Sequence, residues 1–216
     1  MSKLLINCWY STFMKTVIKF ILVLILSSCA SKKSIEIKNI GDCEFQNITK
    51  SFDAKKLSYI GLKKYCIGGV LIEMSNKKDR ENCNSENDIY IFWTDNNKSF
   101  VQKFDDCSEF TTVEIFDFKP DEFLKNNTTE LQSKSVKRYQ VDNDTYSIVS
   151  HSCFRNYILN DGQTKYEKKF DIYDLSGEND NMNFKTNNSL PLIELDNKLN
   201  KIIAVLESKN RFERNK

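Results

Sequence analysis

DIYIFWTDNNKSFVQKFD, residues 88–105, decides the fold. Two apolar, alternating runs flank Asp95-Asn96-Asn97-Lys98, which has the chemistry of a two-residue hairpin turn. A turn centred on Asn96 and Asn97 sets Trp93 opposite Phe100. Because residues 108–118 continue as a third strand, the sequence predicts a meander of antiparallel strands.

A second hairpin is predicted around Asn160-Asp161-Gly162-Gln163, because Asp-Gly favours a two-residue turn. That register sets Tyr157 opposite Tyr166 and gives the hairpin a largely apolar face. It also sets Arg155 opposite Lys168, which is an unfavourable pair of like charges. A bulge or a one-residue slip near this pair is therefore the alternative.

Helices are predicted at three places. One begins at Pro120, where proline is followed by acidic residues at the positive helix end. Another lies within residues 51–64, with Asp53 as its cap, and is followed by a strand from 66 to 75. The last covers residues 191–208, because apolar residues recur there every three or four positions: Leu192, Leu195, Leu199, Ile202 and Leu206. Its apolar stripe packs across the sheet or, as the alternative, docks a partner or a second copy of the chain.

These elements predict an α+β domain. It has an antiparallel meander or hairpin sheet of five or more strands and two or three helices, including an amphipathic C-terminal helix. Residues 43–216 are predicted to form a single globular domain, since the chain is too short for a second full one. Turn chemistry at residues 142–145 adds a further hairpin, and the Asn- and Asp-rich residues 176–190 are predicted to be a mobile loop.

The composition excludes several classes of protein. Lys plus Arg number 32 against 30 Asp plus Glu, and the two signs alternate along the chain, which argues against nucleic acid as a partner. With 6 Gly and 2 Pro, the chain has no glycine-rich phosphate loop and no collagen-like or proline-rich segment. Aromatic residues make up 12% of the chain, so we expect a folded core rich in phenylalanine.

The N-terminal segment has the features of a secretory signal. From Met14 it has a basic start and then a short apolar run, too short for the roughly 20 residues that a membrane-spanning helix needs. The run ends in Leu26-Ser27-Ser28-Cys29, which resembles the lipobox of bacterial lipoproteins. The resemblance implies that residues 1–28 are a signal peptide and that Cys29 is lipidated and becomes the first residue. Met14 is an alternative start, and a plain secretory peptide with a chance cysteine is the alternative reading of the motif.

Lipid on Cys29 makes the membrane a partner, because two or more acyl chains anchor a protein firmly. Residues 29–42 are predicted to be the lipidated tether, since residues 30–42 are polar and carry no clear pattern. In the lipoprotein family an aspartate directly after the cysteine often retains the protein in the inner membrane, whereas Ala30 follows here. The resemblance therefore favours the outer membrane with the domain facing the periplasm, and a Gram-positive host is the alternative.

Five cysteines follow Cys29, and the predicted export places them in an oxidising compartment, where disulfides persist. None has C-x-x-C spacing, which argues against a zinc knuckle or a redox motif. Continuing the register of the first hairpin brings Cys107 to its open end near residue 86, and Cys83 lies just beyond. Cys83–Cys107 is therefore the first candidate disulfide, and the remaining connectivity stays open.

The sequence gives little support for a catalytic site or a metal site. His151 is the single histidine and shares a strand face with Cys153, but side chains two residues apart are about 7 Å from each other, beyond hydrogen-bond reach. A core histidine and a structural or bridged cysteine are predicted instead. The acidic clusters at residues 105–106, 142–144 and 178–180 lack the pattern of a calcium loop. We predict no catalytic residue, no metal ligand and no cofactor.

The sequence favours a lipid-anchored envelope protein that is not an enzyme and that binds another protein or has a structural role. The mature portion resembles only uncharacterised envelope lipoproteins, so no functional residue carries over. An immunity protein that neutralises a toxin in the periplasm is one version. The first alternative is a small-ligand-binding periplasmic lipoprotein with sheet aromatics as its pocket wall. A less favoured one is an envelope hydrolase with a polar cluster in a cleft.

Overall fold

The structure, a computed structural model, describes residues 40–68, 87–106 and 108–215, which belong to one compact unit. Within these ranges, side chains are described from Phe45 onward. The helices are α1 (Ile40–Ala54), α2 (Pro120–Ser133), α3 (Phe184–Asn188) and α4 (Pro191–Ser208), and a 3₁₀ helix covers Ile172–Leu175. The strands are β1 (Tyr59–Ile67), β2 (Asn87–Asp95), β3 (Lys98–Asp105), β4 (Ser108–Glu109), β5 (Val113–Ile115), β6 (Ser152–Asn160) and β7 (Lys165–Asp171).

The strands form one antiparallel sheet in the order β4-β3-β2-β1-β6-β7, and β5 also pairs with β3. β1 lies in the middle, paired with β2 on one side and with β6 on the other. This sheet and its helices, α4 among them, confirm the predicted α+β class and the predicted C-terminal helix.

Helices cover both faces of the sheet, so the domain has two apolar cores. The larger lies under α2 and α4 and includes Tyr90, Phe92 and Leu195, each with no exposed surface. The smaller lies under α1 and contains Phe45, Phe52, Tyr59, Ile89, Ile91, Phe104 and Ile158. None of the helices described is both long and apolar enough to cross a bilayer.

The β2–β3 hairpin has the predicted register. Trp93 lies opposite Phe100, and the turn residues Asn96 and Asn97 have φ angles of 49° and 61°. Asparagine tolerates such left-handed values better than most residues, and two in succession make the turn that fits the twist of a hairpin. The turn chemistry therefore fixed this register correctly.

The predicted β6–β7 register is wrong by two residues. Tyr157 lies opposite Lys168, and Arg155 lies opposite Phe170, so the like-charge pair does not form. The cause is Asp161, whose Oδ1 accepts from the backbone N–H groups of Gln163 at 2.9 Å and of Thr164 at 2.7 Å. These bonds close a four-residue loop instead of a two-residue turn.

The helix predicted within residues 51–64 is also wrong. α1 ends before that segment's midpoint, Asp53 lies in its last turn, and Lys56, with a φ of 54°, leads the chain toward β1. The first five residues of β1 are all buried because helices cover both faces of this central strand. Because buried and exposed residues do not alternate here, the spacing of the apolar residues resembled that of a helix. The predicted strand from 66 to 75 overlaps the end of β1, and its remainder from residue 69 lies outside the described residues.

Buried asparagine side chains hold residues 176–190, which the sequence predicted to be a mobile loop. Asn187 has no exposed surface. Its Nδ2 donates to the carbonyls of Lys137 at 2.8 Å and Asp174 at 3.0 Å, and its Oδ1 accepts from the N–H of Lys137 at 2.9 Å. Two further asparagines of the segment are buried and hydrogen-bonded: Asn181 and Asn183. The prediction was wrong because an amide satisfies backbone donors and acceptors together, so asparagine can replace secondary structure inside a fold.

The last described residues run along the β4 edge of the sheet. Phe110 and Arg214 form an antiparallel bridge, and the N–H of Asn215 donates to the carbonyl of Glu109 at 2.9 Å. Backbone groups beside β4 are thus paired within the same chain.

Candidate binding site

An open groove lies beside α1, on the face of the sheet that this helix covers. Its volume is about 980 Å³. α1 and the segment after it form one wall, and the outer strands β2 and β3 form the floor. The apolar lining consists of Ile48, Phe52, Leu57, Trp93, Phe100 and Phe104.

Three aromatic rings dominate this lining. Trp93 and Phe100 stack across the hairpin with centroids 5.5 Å apart and planes 27° apart. Phe52 of α1 meets Trp93 edge-on, with centroids 5.0 Å apart. Phe52 is buried, whereas Trp93 and Phe100 are only half-buried. The ring pair is therefore held in place by packing and is still accessible from the groove.

α1 lies close to the sheet because Gly61 of β1 has no side chain. The ring of Phe45 occupies that space, and a Cβ on Gly61 would lie only 2.9 Å from its Cε2 atom. Phe45 is 1% exposed, so the contact is a full part of the smaller core. This contact places α1 over the middle of the sheet and leaves the outer strands β2 and β3 as the floor of the groove.

The last turn of α1 is fixed by the carboxylate of Asp53. It accepts hydrogen bonds from Lys165 Nζ at 2.6 Å, from the hydroxyl of Tyr59 at 2.7 Å and from Asn160 Nδ2 at 3.0 Å. Burial by itself raises the pKa of Asp53, but the bonds from Lys165, Tyr59 and Asn160 together hold that pKa below its usual value. The charged carboxylate thus ties α1 to the β6–β7 side of the sheet, away from the groove.

Polar side chains surround the aromatic lining. Gln102 Nε2 donates to the carbonyl of Phe110 at 2.9 Å, so its amide has a fixed orientation. The rim also carries Lys55, Asp95 and Glu109. Among the described residues of the lining there is neither a histidine nor a cysteine. An apolar floor with hydrogen-bonding groups at its border can bind an apolar side chain and the polar backbone beside it.

The most strongly perturbed ionisable groups lie on the other face, under α4. Asp196 Oδ1 accepts from the hydroxyl of Tyr157 at 2.6 Å and lies 3.5 Å from Arg155 Nε. Burial raises the pKa of Asp196 despite the opposing bond from Tyr157 and charge of Arg155. Burial also raises the pKa of Tyr157 well above its usual value. These groups belong to the packed interior and fasten α4 to β6.

A second polar cluster fastens the end of α4. Glu207 Oε1 accepts from the hydroxyl of Tyr90 at 2.7 Å and from Lys103 Nζ at 3.1 Å, and Lys103 also pairs with Asp88 at 3.1 Å. Burial by itself raises the pKa of Glu207, but the bonds from Tyr90 and Lys103 hold that pKa below its usual value. Both clusters lie on the sheet face opposite the groove and act in packing.

The structure pairs two of the cysteines. A disulfide joins Cys66 to Cys153, which lie directly opposite each other in β1 and β6. It agrees with the prediction that Cys153 is a structural or bridged cysteine. The candidate disulfide Cys83–Cys107 lies outside the described residues, as does the lipidation site Cys29.

His151 is not a core histidine, as the sequence predicted, but is exposed at the entry to β6. Its Nδ1 lies 2.8 Å from the hydroxyl oxygen of Ser150. The prediction failed because the apolar pattern of β6 was extended too far toward the N-terminus. Residue 151 precedes the strand and its buried part. The structure does not bring His151 into the groove.

The groove itself could be found from the sequence only in part. The hairpin pattern paired Trp93 with Phe100, but which face stays open depends on where α1 lies, and α1 was predicted in the wrong place. Among the described residues there is no group of three or more His, Cys, Asp or Glu side chains that could hold a metal ion. No family model, curated protein or solved structure matches this chain.

Proposed function

We propose that this chain is a lipid-anchored envelope protein without enzymatic activity whose domain binds another protein in the groove beside α1. The observation that carries the proposal is the half-exposed pair of Trp93 and Phe100. Most other large aromatic side chains of the central strands are packed under helices. A second stacked pair, Tyr65 and Phe154, is also half-buried, but Lys169 Nζ lies over both of its rings. Trp93 packs against Phe52, and both rings of the pair remain accessible from the groove.

The groove has the anatomy of a protein-binding surface. Binding energy at such surfaces concentrates in a few aromatic side chains held in place by their neighbours, and a polar border excludes water around them. Trp93 and Phe100 fit the first role, and Gln102, with its fixed amide, fits the second. We expect the partner to insert an apolar side chain onto the ring pair.

Two features support an envelope location. Leu26-Ser27-Ser28-Cys29 matches the lipobox at every position. The Cys66–Cys153 disulfide is a bond that persists in oxidising compartments and is rare in the cytosol. The proposal therefore includes lipid on Cys29 and an outer-membrane protein that faces the periplasm. Metabolic labelling with an alkyne fatty acid should mark the wild-type chain and not the Cys29→Ser variant.

In-cell photo-crosslinking tests the groove. A photoreactive amino acid at Thr112, an exposed residue of the groove lining, should yield a discrete crosslinked product. Trp93→Ala should abolish that product. Because Trp93 also packs against Phe52, a second variant, Ser51→Trp, blocks the groove by adding bulk at an exposed lining position without removing core atoms.

Tyr146→Ser is the matched control, since Tyr146 is an aromatic residue that is 54% exposed and lies outside the groove. The product should persist in that variant. A product that survives both Trp93→Ala and Ser51→Trp, or no product at all in wild-type cells, would rule out protein binding at this groove.

A small-ligand carrier is the second candidate, because sheet aromatics line the groove as that function requires. The chain contains two tryptophans, Trp9 and Trp93, and removal of the signal peptide leaves Trp93 alone. Its emission therefore reports directly on occupancy of the groove. A saturable shift of that emission with a periplasmic small-molecule extract, absent in Ser51→Arg, which adds bulk at the same lining position without a second tryptophan, would favour the carrier over the protein-binding domain.

A further inference from the structure

A second surface lies on the opposite side of the sheet, where α4 passes β5. Phe116, directly after β5, is 82% exposed, and Val205 of α4 is 49% exposed. Between them lies an open groove of about 500 Å³, whose apolar lining also includes Ile115 and Ile202. We name Phe116, Val205 and Ile202 the α4 patch.

Cations surround the α4 patch. They are Lys198, Lys201, Lys209 and Arg211, all exposed, and none forms an ion pair in the described part of the chain. Lys198 and Lys201 lie on α4, and Lys209 and Arg211 follow its C-terminal end. Two acidic residues also line the groove: Glu114, which pairs with Lys98 at 3.2 Å, and Asp117. The patch therefore has four unpaired positive charges against one unpaired negative charge.

We propose that the α4 patch rests on an anionic phospholipid surface, with Phe116 inserted at the headgroup level and the four cations on lipid phosphates. Basic residues around exposed apolar side chains are the pattern of interfacial membrane contact. The proposal rests on the lipid anchoring of Cys29 in the proposed function, because the anchor keeps the patch near the bilayer.

Chain geometry allows this contact. Ten residues lie between Cys29 and Ile40, the start of α1, and the eleven Cα–Cα steps between these two residues span roughly 36 Å when extended. α1 and the α4 patch are on opposite sides of the sheet, so they are separated by two layer spacings of about 10 Å each. The anchor can therefore reach the bilayer while α4 faces it.

The attraction to an anionic membrane comes from the charges of the α4 patch and not from the net charge of the chain. Removing residues 1–28 takes away three lysines and no acidic residue, so the net formal charge falls from +2 to −1. A chain of that net charge has no general attraction for an anionic membrane. Each basic residue close to an anionic surface strengthens binding by about fivefold, so attraction has to come from the patch.

Membrane contact through α4 would also orient the domain. The groove beside α1 lies on the opposite face of the sheet, so it would point away from the bilayer and toward a partner in the compartment. A protein partner at the α4 patch is the competing explanation, and it would leave the orientation open.

Vesicle sedimentation tests the proposal on the chain from residue 29 with Cys29→Ser, which carries no lipid and keeps all described elements. We expect binding to phosphatidylcholine vesicles that contain one third phosphatidylglycerol, and no binding to pure phosphatidylcholine. Replacing Lys198, Lys201, Lys209 and Arg211 by glutamine should weaken binding more than tenfold. Phe116→Ser should weaken it several-fold, and raised salt should release the wild-type chain.

The matched control replaces four exposed lysines outside the patch by glutamine: Lys50, Lys125, Lys137 and Lys185. It makes the same change in net charge and should bind within twofold of wild type. Equal loss in both quadruple variants, equal binding to neutral vesicles, or no binding at all would overturn the proposal. A crosslink between Val205 and a protein in cells, together with no binding to vesicles, would assign the patch to a protein. None of these results depends on the groove beside α1, so failure of the two proposals can be told apart.

Discussion

The phenol of Tyr157 donates a hydrogen bond of 2.6 Å to Asp196, and both side chains are buried between β6 and α4. Asp196→Ala leaves this phenol without its acceptor and removes the carboxylate that lies 3.5 Å from the buried Nε of Arg155. The free energy of unfolding should fall by about 3 kcal/mol. Tyr157→Phe removes one hydrogen bond and should cost about 1 kcal/mol. Urea unfolding followed by far-UV circular dichroism measures both.

The double variant separates this pair from its surroundings. Because the two side chains contact each other, the double variant should lose clearly less stability than the sum of the single losses. Strictly additive losses would show that the bond contributes little and that α4 is held by its apolar stripe alone.

The disulfide between Cys66 and Cys153 joins two strands that are 87 residues apart in sequence. A crosslink over a loop of this length restricts the unfolded chain, which stabilises a fold by up to about 4 kcal/mol. Cys66→Ser with Cys153→Ser should lower the unfolding free energy measurably and leave the fold intact. Peptide mapping without reductant should recover a peptide pair that contains Cys66 and Cys153. Recovery of Cys153 linked to a different cysteine would refute the pairing.

Asp53 gives stability a defined pH dependence. Its pKa in the folded state lies below the ordinary value of 3.8, so its stabilisation is present at higher pH and is lost as pH falls through the folded value. Burial by itself lowers the pKa of Lys165, but the hydrogen bond that Lys165 donates to Asp53 and its interactions with Tyr59 together raise that pKa above its ordinary 10.5, so this contribution persists until strongly alkaline pH. Asp53→Asn should cost about 1 kcal/mol at neutral pH, a value reduced by partial solvent exposure.

As pH falls through the lowered folded-state pKa of Asp53, the cost of Asp53→Asn should disappear, because both side chains are then neutral. Thermal unfolding from pH 2 to 8 measures the difference. Glu178→Gln is the matched control, since Glu178 is exposed, and it should leave the curve unchanged. A cost for Asp53→Asn that does not vary with pH would contradict the role assigned to the charge.

Asn187 should be among the most sensitive polar positions. Asn187→Ala removes the partner of the Lys137 N–H and carbonyl and one of the two donors to the Asp174 carbonyl, which keeps its bond from Asn181, and should cost about 3 kcal/mol. Asn187→Asp keeps the size but faces two carbonyl oxygens with a carboxylate, and should destabilise at least as much. Asn179→Ala, at an exposed position of the same segment, should change the unfolding free energy by less than about 0.5 kcal/mol. Equal effects at both positions would indicate that residues 176–190 form a mobile loop.

Local patterns predicted much of the fold. The Asn96-Asn97 turn, the start of α2 at Pro120 and the span of α4 all depend on residues close in sequence, and the structure has them as predicted. What failed depends on distant partners. The pairing of β1 with β6 buries both faces of β1 and removes the alternation that identifies a strand. Likewise, the role of Asn187 depends on Lys137, 50 residues away.

The candidate site was harder to predict than the fold for the same reason. Trp93 and Phe100 were paired correctly, but a groove exists only where a covering helix ends. The position of α1 depends on the space above Gly61 and on the bonds of Asp53 to Lys165, neither of which has a local signature. The sequence therefore predicted the pairing of Trp93 with Phe100 but not the groove that opens beside these rings.

The pairing of Arg214 with Phe110 has a consequence for how these molecules behave when crowded together. A bare strand edge offers unpaired backbone groups to any neighbouring chain and so promotes aggregation. With lipid on Cys29, as proposed, copies would meet side by side on a membrane at high local density. By occupying the edge beside β4 with its own backbone, the C-terminal segment keeps that edge from pairing with a neighbouring copy.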